Sequence, residues 1–325
     1  MAMAKTVFVT HQLPGERLAK LASQCTLRIW EGPELIRAEQ LRASLSGCHG
    51  LICLLTDRIS ADLLAHAPEL EFVSSVSVGV DHVDVQALTA RGIPLGNTPG
   101  VLVDTTADAA FALLLAAARR VAEADRYVRD GLWRPERSWA PDFFLGKDVS
   151  GATLGIIGLG AIGRAVARRA RGFGMTVLGW NRSQRHFDEA QTVPLEELLM
   201  RSDFVSVNVA LTEDTRNLLD AAKIAMMKRG AVLVNTARGG IVDEAALAEA
   251  LDSGQVFAAG IDVFECEPMS KDNPLLRHPR VVLSPHIGSA TTVTRGRMVD
   301  MAVDNALAAL AGRPMPNCCN AQVYD

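Results

Sequence analysis

The stretch Gly151-Ala-Thr-Leu-Gly-Ile-Ile-Gly-Leu-Gly-Ala-Ile-Gly163 decides the fold of this chain. Its apolar run Leu154–Ile157 is typical of a buried parallel strand, and the small residues at 161–172 predict a helix. A strand predicted at 176–180 follows. In this strand–helix–strand context the glycines of the G-x-G-x-x-G pattern predict a dinucleotide-binding turn rather than an ordinary glycine turn. Those glycines are Gly158, Gly160 and Gly163.

Length and composition predict a soluble protein with two domains. The chain has 325 residues, of which 49% are hydrophobic and 22% charged, and a formal net charge of -4. That balance gives no reason to expect nucleic-acid or membrane binding. Six cysteines without a C-x-x-C pair indicate reduced thiols in a cytoplasmic protein and no metal site. The N-terminus enters a strand directly and lacks the apolar region of a signal peptide.

Strands and helices alternate along the first third of the chain. Strands are predicted at 7–9, 26–30, 50–55 and 72–76, with helices at 16–23, 35–44 and 61–65. This alternation predicts an open parallel sheet covered by helices on both faces. Asp104 is predicted to cap one long helix that reaches Asp130. Further strands are predicted at 204–209, 231–235, 258–262 and 281–284, and a last helix at 294–311.

Six stretches resemble the D-isomer-specific 2-hydroxyacid dehydrogenases, in order and spacing, along nearly the whole chain. The closest branch is similar to the glyoxylate/hydroxypyruvate reductases and 2-ketogluconate reductases. The matching stretches are 77–84, 97–102, 155–163, 234–240, 260–268 and 284–289. The resemblance implies two doubly wound α/β domains, with a Rossmann cofactor domain (97–287) inserted into a flavodoxin-like substrate domain (1–96 and 288–325). It also implies an active site in the cleft and a homodimer.

Three residues are the catalytic candidates. Arg238 follows an apolar strand, and its guanidinium can bind a carboxylate and polarise the adjacent ketone. His286 follows Pro285 at the end of another strand, and it matches the acid/base of the family. Glu267 matches the glutamate that orients this imidazole and favours its charged form. Glu265 is a rival for that role by composition.

The resemblance also assigns substrate and cofactor contacts. It implies that backbone N–H groups of Val78 and Gly79 hold the substrate carboxylate, together with Arg238 and His286. Asp262 would accept a hydrogen bond from the nicotinamide amide, and Thr106 and Asp108 match positions near that end, although ordinary helix-start polarity explains them as well. The further predicted cofactor contacts are Gly158, Leu159, Gly160, Ala161, Ile162, Gly163, Val209, Ala210, Thr215, Thr236, Ala237, Arg238, His286 and Gly288. The family commonly has His-x-Pro where this chain has Asn208-Val-Ala210.

The residues after the second strand predict the choice of cofactor. An NAD enzyme places a carboxylate there to bind both ribose hydroxyls, whereas this chain has Asn181-Arg-Ser-Gln-Arg185. Arg182 can pair with a 2′-phosphate and Ser183 can donate to it, while Asn181 does not repel it. We therefore expect NADP(H) to be preferred, with NAD(H) as a second cofactor; an ordinary basic loop is the alternative.

These patterns predict a cytoplasmic NADPH-preferring reductase that converts small 2-keto acids to D-2-hydroxy acids. Glyoxylate, hydroxypyruvate and sugar-derived 2-keto acids such as 2-ketogluconate are the expected substrates. The alternative is a dinucleotide-sensing interaction protein that resembles the corepressors of this family and turns over little substrate.

Overall fold

The computed structural model describes residues 4–14, 16–183 and 185–325. The chain forms two compact units. One runs to Leu102 and includes Ala290–Asp325, and the other consists of Val103–Ser289. The family resemblance implies that the two boundaries lie after residues 96 and 287. The first boundary of the folded units instead coincides with the start of a long helix at Val103.

The structure bears out the α/β alternation. The strands are β1 (Thr6–Val9), β2 (Thr26–Ile29), β3 (Gly50–Cys53), β4 (Phe72–Ser75), β5 (Leu95–Gly96), β6 (Thr153–Ile157), β7 (Thr176–Trp180), β8 (Gln191–Thr192), β9 (Phe204–Val207), β10 (Ala231–Asn235), β11 (Val256–Ile261) and β12 (Val281–Leu283). The α-helices are α1 (Arg17–Ala22), α2 (Ala38–Ser44), α3 (Ala61–Ala65), α4 (Val85–Ala90), α5 (Val103–Ala118), α6 (Val121–Arg129), α7 (Ala161–Arg171), α8 (Leu195–Arg201), α9 (Ala221–Ala225), α10 (Glu244–Asp252) and α11 (Thr292–Leu310). Among the described residues, no helix combines the length and the apolar content needed to cross a membrane.

The first unit contains a parallel sheet in the order β2-β1-β3-β4-β5. This order is that of flavodoxin-like folds. Phe8, Leu51 and Val73 lie in an apolar core on one face of the sheet. The last helix, α11, packs against β4, and the hydroxyl of Ser74 donates to the carbonyl of Ala302 at 2.9 Å. The end of the chain therefore returns to the N-terminal sheet.

The second unit contains a parallel sheet in the order β12-β11-β10-β9-β6-β7-β8. Leu154 and Ile156 contribute to one apolar core and Ile157 to another, because successive side chains of a strand point to opposite faces. Helices cover both cores, which confirms the predicted pair of doubly wound parallel-sheet domains.

The centre of the second sheet is the point where the strand order reverses. From β6 the chain goes to β7 on one side and then to β9 on the other. Loops at the carboxyl ends of strands on either side of such a point diverge, and α/β proteins bind ligands in the crevice that results. The glycine turn lies after β6, so the topology and the motif indicate the same place for a dinucleotide.

The single helix predicted from Asp104 to Asp130 is wrong. α5 ends at Ala118, and Arg120 has a left-handed backbone with φ 56° before α6 begins. The returning chain crosses this break, because the N–H of Lys147 donates to the carbonyl of Ala118 at 2.8 Å. A Cβ on Gly146 would lie 2.5 Å from that carbonyl oxygen. Asp104 lies within the first turn of α5 and not in front of it.

Candidate active site

The glycine turn joins β6 to α7, and each glycine meets a different steric demand. Gly158 has φ 101°, and a Cβ there would lie 2.8 Å from the carbonyl carbon of Asn208. A Cβ on Gly163 would lie 2.0 Å from the carbonyl oxygen of Gly158, so glycine is needed for α7 to pack this closely. Apart from its chain neighbours, no atom of the described residues would lie within 4 Å of a Cβ on Gly160. The open position is the one where a pyrophosphate must approach the backbone at the helix N-terminus.

The other predicted cofactor contacts of this turn lie between its glycines. Ala161 and Ile162 open α7, and Leu159 is buried. The Cδ1 atom of Leu159 would lie 2.4 Å from a Cβ on Gly179, so this side chain packs on β7. A contact from Leu159 to a cofactor would therefore come from its backbone.

Two buried polar atoms at the same edge of the sheet as the turn fit a bound dinucleotide. The Oγ1 atom of Thr236 and the Oδ1 atom of Asn208 are buried, and in the described part of the chain neither has a hydrogen-bond partner. Both residues directly follow strands, β10 and β9, at the carboxyl edge of the sheet. Because buried polar atoms are rarely left unpaired in folded proteins, these two atoms, with the open space at Gly160, fit a nicotinamide dinucleotide.

The loop after β9 lies against the glycine turn. The Cγ1 atom of Val209 would be 2.8 Å from a Cβ on Gly158. The hydroxyl of Thr215 donates to the carbonyl of Ala210 at 2.6 Å and accepts from the N–H of Thr212 at 2.7 Å. Asn208, which replaces the family's histidine, donates its amide to the carbonyl of Ser206 at 3.1 Å. The predicted residues Val209, Ala210 and Thr215 thus belong to one hydrogen-bonded loop that contacts the glycine turn.

The corner after β7 carries the residues predicted to choose the cofactor. Asn181 donates to the hydroxyl of Ser183 at 2.9 Å, which leaves that hydroxyl's own proton for another acceptor. The guanidinium of Arg182 is exposed and lies 3.6 Å from the carboxylate of Asp214. Gln184 lies outside the described residues. The sequence-based prediction did not include Asp214, because thirty-two positions separate it from Arg182 along the chain.

His286 and Glu267 form an ion pair at the carboxyl edge of the same sheet. Nδ1 of His286 lies 2.7 Å from Oε2 of Glu267, and both side chains are about a quarter exposed. The other oxygen of Glu267 accepts from the N–H of Phe264 at 2.9 Å. Burial opposes ionisation of Glu267, but the hydrogen bonds from His286 and Phe264 and the charge of Arg238 outweigh it and hold the pKa of the carboxyl below its usual range. Glu265, the rival, is exposed and is not bonded to this imidazole.

The loop that carries His286 is held by Asp262. This aspartate is buried, and it accepts from the hydroxyl of Ser284 at 2.6 Å and from the N–H groups of Ile287 and Gly288, both at 2.8 Å. Its carbonyl accepts from the N–H of His286 at 2.8 Å, and His286 has a left-handed φ of 53°. Asp262 therefore positions the loop, and Oδ2, with one bond, keeps capacity for a further donor.

Arg238 lies in the turn after β10, which a buried asparagine organises. Asn235 donates to the carbonyl of Arg238 at 2.8 Å and accepts from the N–H of Ala237 at 3.0 Å. The guanidinium of Arg238 donates to the carbonyl of Ala237 at 2.8 Å. A Cβ on Gly239 would lie 1.9 Å from the carbonyl carbon of Phe264, so this turn touches the loop that leads to Glu267. Asn235 is not among the positioning residues predicted from the sequence. Its place as the last residue of an apolar strand is the feature that indicates this role.

The two predicted residues of α5 differ in their surroundings. Thr106 is buried. A Cβ on Gly288 would lie 3.4 Å from Cγ2 of Thr106 and 3.1 Å from Oδ2 of Asp262. Thr106, Asp262 and Gly288 are thus close together, as expected for one end of a cofactor site. Asp108 instead accepts from Arg169 of α7 at 2.6 Å on the surface.

Val78 and Gly79 follow β4 in the first unit. Their carbonyls accept from Asn97, at 2.9 Å, and from the hydroxyl of Ser77, at 2.7 Å. Over the described residues no acceptor is bonded to either N–H. The loop thus has the pair of N–H donors that a carboxylate requires.

Comparisons with known proteins agree with this geometry. Residues 111–288 match the family model of the D-isomer specific 2-hydroxyacid dehydrogenase, NAD binding domain. The chain is 47% identical over 325 residues to a glyoxylate reductase of Korarchaeum cryptofilum, covering 99% of this chain and 97% of the relative. A solved structure from Thermus thermophilus matches with a TM-score of 0.90 and 45% identity, over 97% of this chain and 99% of that one. An NADPH-dependent glyoxylate/hydroxypyruvate reductase from Sinorhizobium meliloti, solved with NADP and malonate, matches with a TM-score of 0.86 and 32% identity, over 98% of this chain and 97% of that one. The chain belongs to the D-isomer specific 2-hydroxyacid dehydrogenases and is an NAD(P)-dependent oxidoreductase.

Proposed function

We propose that this enzyme reduces small 2-keto acids, of the glyoxylate, hydroxypyruvate and 2-ketogluconate class, to D-2-hydroxy acids, and that it prefers NADPH. The observation that carries the proposal is the Glu267–His286 pair at 2.7 Å beside Arg238, on the same carboxyl edge of the sheet as the glycine turn. The glyoxylate reductases among its relatives support the substrate class. No observation favours the alternative of a corepressor-like protein.

Arg238 is assigned to bind the substrate. Its planar guanidinium can form paired hydrogen bonds with a carboxylate and polarise the neighbouring ketone. The bonds of Asn235 to the carbonyl of Arg238 and the N–H of Ala237 support this role, because they hold the turn that carries the guanidinium. Val78 and Gly79 are proposed to bind a substrate carboxylate through their N–H groups.

His286 is assigned to supply the proton. An ionised carboxylate can only accept hydrogen bonds, so Glu267 requires the proton on Nδ1 of His286 and leaves Nε2 for the substrate oxygen. In the protonated ring, Nε2 donates its proton to the oxygen as the ketone becomes an alkoxide. Bound NADPH would supply the hydride. The left-handed backbone of His286 and the bonds of Asp262 support a fixed direction for the ring.

The preference for NADPH rests on the corner after β7. No carboxylate of residues 181–183 repels a 2′-phosphate, and Arg182 and the hydroxyl of Ser183 offer a charge and a donor. The Sinorhizobium meliloti relative is described as NADPH-dependent, which supports the same choice.

The enzyme is further proposed to be a cytoplasmic homodimer. All six cysteines are free thiols, which supports a reducing compartment. α6 has no buried residue, and six exposed large apolar side chains lie in 121–145: Val121, Val128, Leu132, Trp133, Trp139 and Leu145. Such a concentration is typical of a surface that a partner covers. Light scattering should give the mass of two chains for the wild type and of one chain for Trp139→Glu combined with Val128→Glu.

A substrate panel tests the proposed reaction. Glyoxylate, hydroxypyruvate, 2-ketogluconate and pyruvate are each assayed with NADPH and with NADH, and kcat/KM is compared across the eight pairs. We expect a member of the proposed class with NADPH to give the largest value. Absence of turnover with all four acids would contradict the proposal.

A further inference from the structure

We infer that Asp214 is a specificity-determining residue that competes with the 2′-phosphate of NADPH for Arg182. This inference rests on the proposed role of Arg182 in the cofactor corner. Asp214 lies on the loop after β9, and Arg182 lies at the corner after β7. The guanidinium of Arg182 lies 3.6 Å from Oδ2 of Asp214, and both side chains are more than three-quarters exposed.

Local hydrogen bonds hold the backbone that carries Asp214. Asp214 lies in the one-turn 3-10 helix Glu213–Thr215. Thr212 and Thr215 close this turn by reciprocal side-chain contacts, and Thr215 also donates to the carbonyl of Ala210. Since Ala210 follows directly on Val209, which lies against the glycine turn, the backbone of Asp214 is connected to that turn by a short, hydrogen-bonded segment.

The charges of Arg182, Asp214 and the 2′-phosphate determine how Asp214 affects the affinity for NADPH. A phosphate monoester carries a charge of about -1.5 to -2 at pH 7, and Arg182 is the cation assigned to it. A carboxylate already paired with that guanidinium neutralises it and repels the phosphate. NADH has no 2′-phosphate, so the pair does not impede it in this way. Asp214 therefore lowers the affinity for NADPH selectively.

A phosphate can readily displace Asp214 from its ion pair with Arg182. Ion pairs between exposed side chains contribute little to stability, because water and salt screen them and because both side chains lose freedom. A phosphate that offers three oxygens and a larger charge can replace the carboxylate. The corner can therefore accept both cofactors, and Asp214 sets how far it favours NADPH.

The neighbouring glutamate provides a matched control. Glu213 is exposed, lies on the same turn and carries the same charge, but no ion pair joins it to Arg182 among the residues that the structure describes. Glu213→Gln therefore removes one charge from the loop without releasing Arg182.

Calorimetric titration with NADPH and NADH tests the inference without relying on turnover. Asp214→Asn should lower the Kd for NADPH by about threefold to tenfold at low ionic strength and leave the Kd for NADH within about twofold. The gain should shrink at 0.5 M salt, a condition chosen to exceed physiological ionic strength of about 0.15 M. Glu213→Gln should produce a smaller gain. In an Arg182→Ala background Asp214→Asn should also gain less, because no guanidinium is released.

Three outcomes would overturn the inference: unchanged or weaker NADPH binding by Asp214→Asn, an equal change for both cofactors, or an equal gain with and without Arg182. These outcomes are distinct from failure of the proposed NADPH preference. If Arg182→Ala weakens NADPH alone while Asp214→Asn changes nothing, only the role of Asp214 is wrong. If the wild type binds both cofactors alike and Asp214→Asn binds NADPH better, the preference is wrong and the inference stands.

Discussion

Glu267 holds Nδ1 of His286 at 2.7 Å and at the same time accepts the N–H of Phe264 at 2.9 Å. The carboxylate thus links the imidazole to the backbone after β11, in addition to compensating its charge. Because its pKa lies below the usual range, Glu267 is ionised throughout the neutral range. It acts on His286 as a constant negative charge.

Glu267→Gln should move the alkaline limit of keto reduction to lower pH. The low pKa of Glu267 shows that its carboxylate is charged wherever reduction is measured, and a charged carboxylate opposes loss of the proton that the reaction uses, whereas the neutral amide of glutamine does not. The measurement is kcat/KM against pH for wild type, Glu267→Gln and the control Glu265→Gln. The control should match the wild type. A shift in Glu265→Gln instead would assign the role to the rival residue.

His286→Ala should reduce kcat by about 10²–10⁴-fold, the usual contribution of a positioned acid or base. Binding of NADPH should be largely retained, since the assigned proton transfer is to the substrate. Stopped-flow assays between pH 6 and 9 and a cofactor titration would separate the two effects. Wild-type turnover across that range would remove His286 from the mechanism.

Arg238→Ala should lower kcat/KM by several orders of magnitude, because both carboxylate binding and ketone polarisation are lost. Arg238→Lys keeps the charge but not the paired hydrogen bonds, so its kcat/KM should lie between those of the wild type and Arg238→Ala. Steady-state kinetics with one 2-keto acid at saturating NADPH gives the comparison. If lysine performs as well as arginine, the paired binding geometry is not required.

Asn181→Asp should reverse the choice of cofactor. The new carboxylate repels the 2′-phosphate and offers an acceptor to the ribose hydroxyls. kcat/KM should fall with NADPH and rise with NADH at fixed substrate, and Asn181→Ala serves as the control without added charge. A wild type that already prefers NADH, or a parallel loss with both cofactors, would argue against this corner as the determinant.

Asp262→Ala should destabilise the fold and reduce kcat together. The change leaves the buried N–H of Gly288 without its acceptor, which costs about 1–3 kcal/mol of unfolding free energy, and it releases the loop of His286. Urea unfolding and single-turnover kinetics would measure both effects. An unchanged unfolding midpoint with a raised Kd for NADPH would instead indicate a role in nicotinamide binding alone.

Local sequence alone determined the main architecture. Alternating apolar strands and helices specify two parallel sheets, because each element must bury one face. The positive φ of Gly158 and the close contact of Gly163 with the carbonyl oxygen of Gly158 are local, so the dinucleotide turn could be predicted from the motif. Arg238 and His286 could be placed at a sheet edge, because each follows an apolar strand.

Tertiary structure decided what depends on residues distant in the chain. The break after α5 arises where Gly146 and Lys147 cross the end of the helix, and no pattern within 104–130 reveals it. The contact of His286 with Glu267 rather than with Glu265 depends on how the loop after β11 folds. The pairing of Arg182 with Asp214 joins loops after two different strands. Periodicity and motifs report which residues share a face or a turn, whereas distances between loops are set only when the sheet assembles and brings their strands side by side.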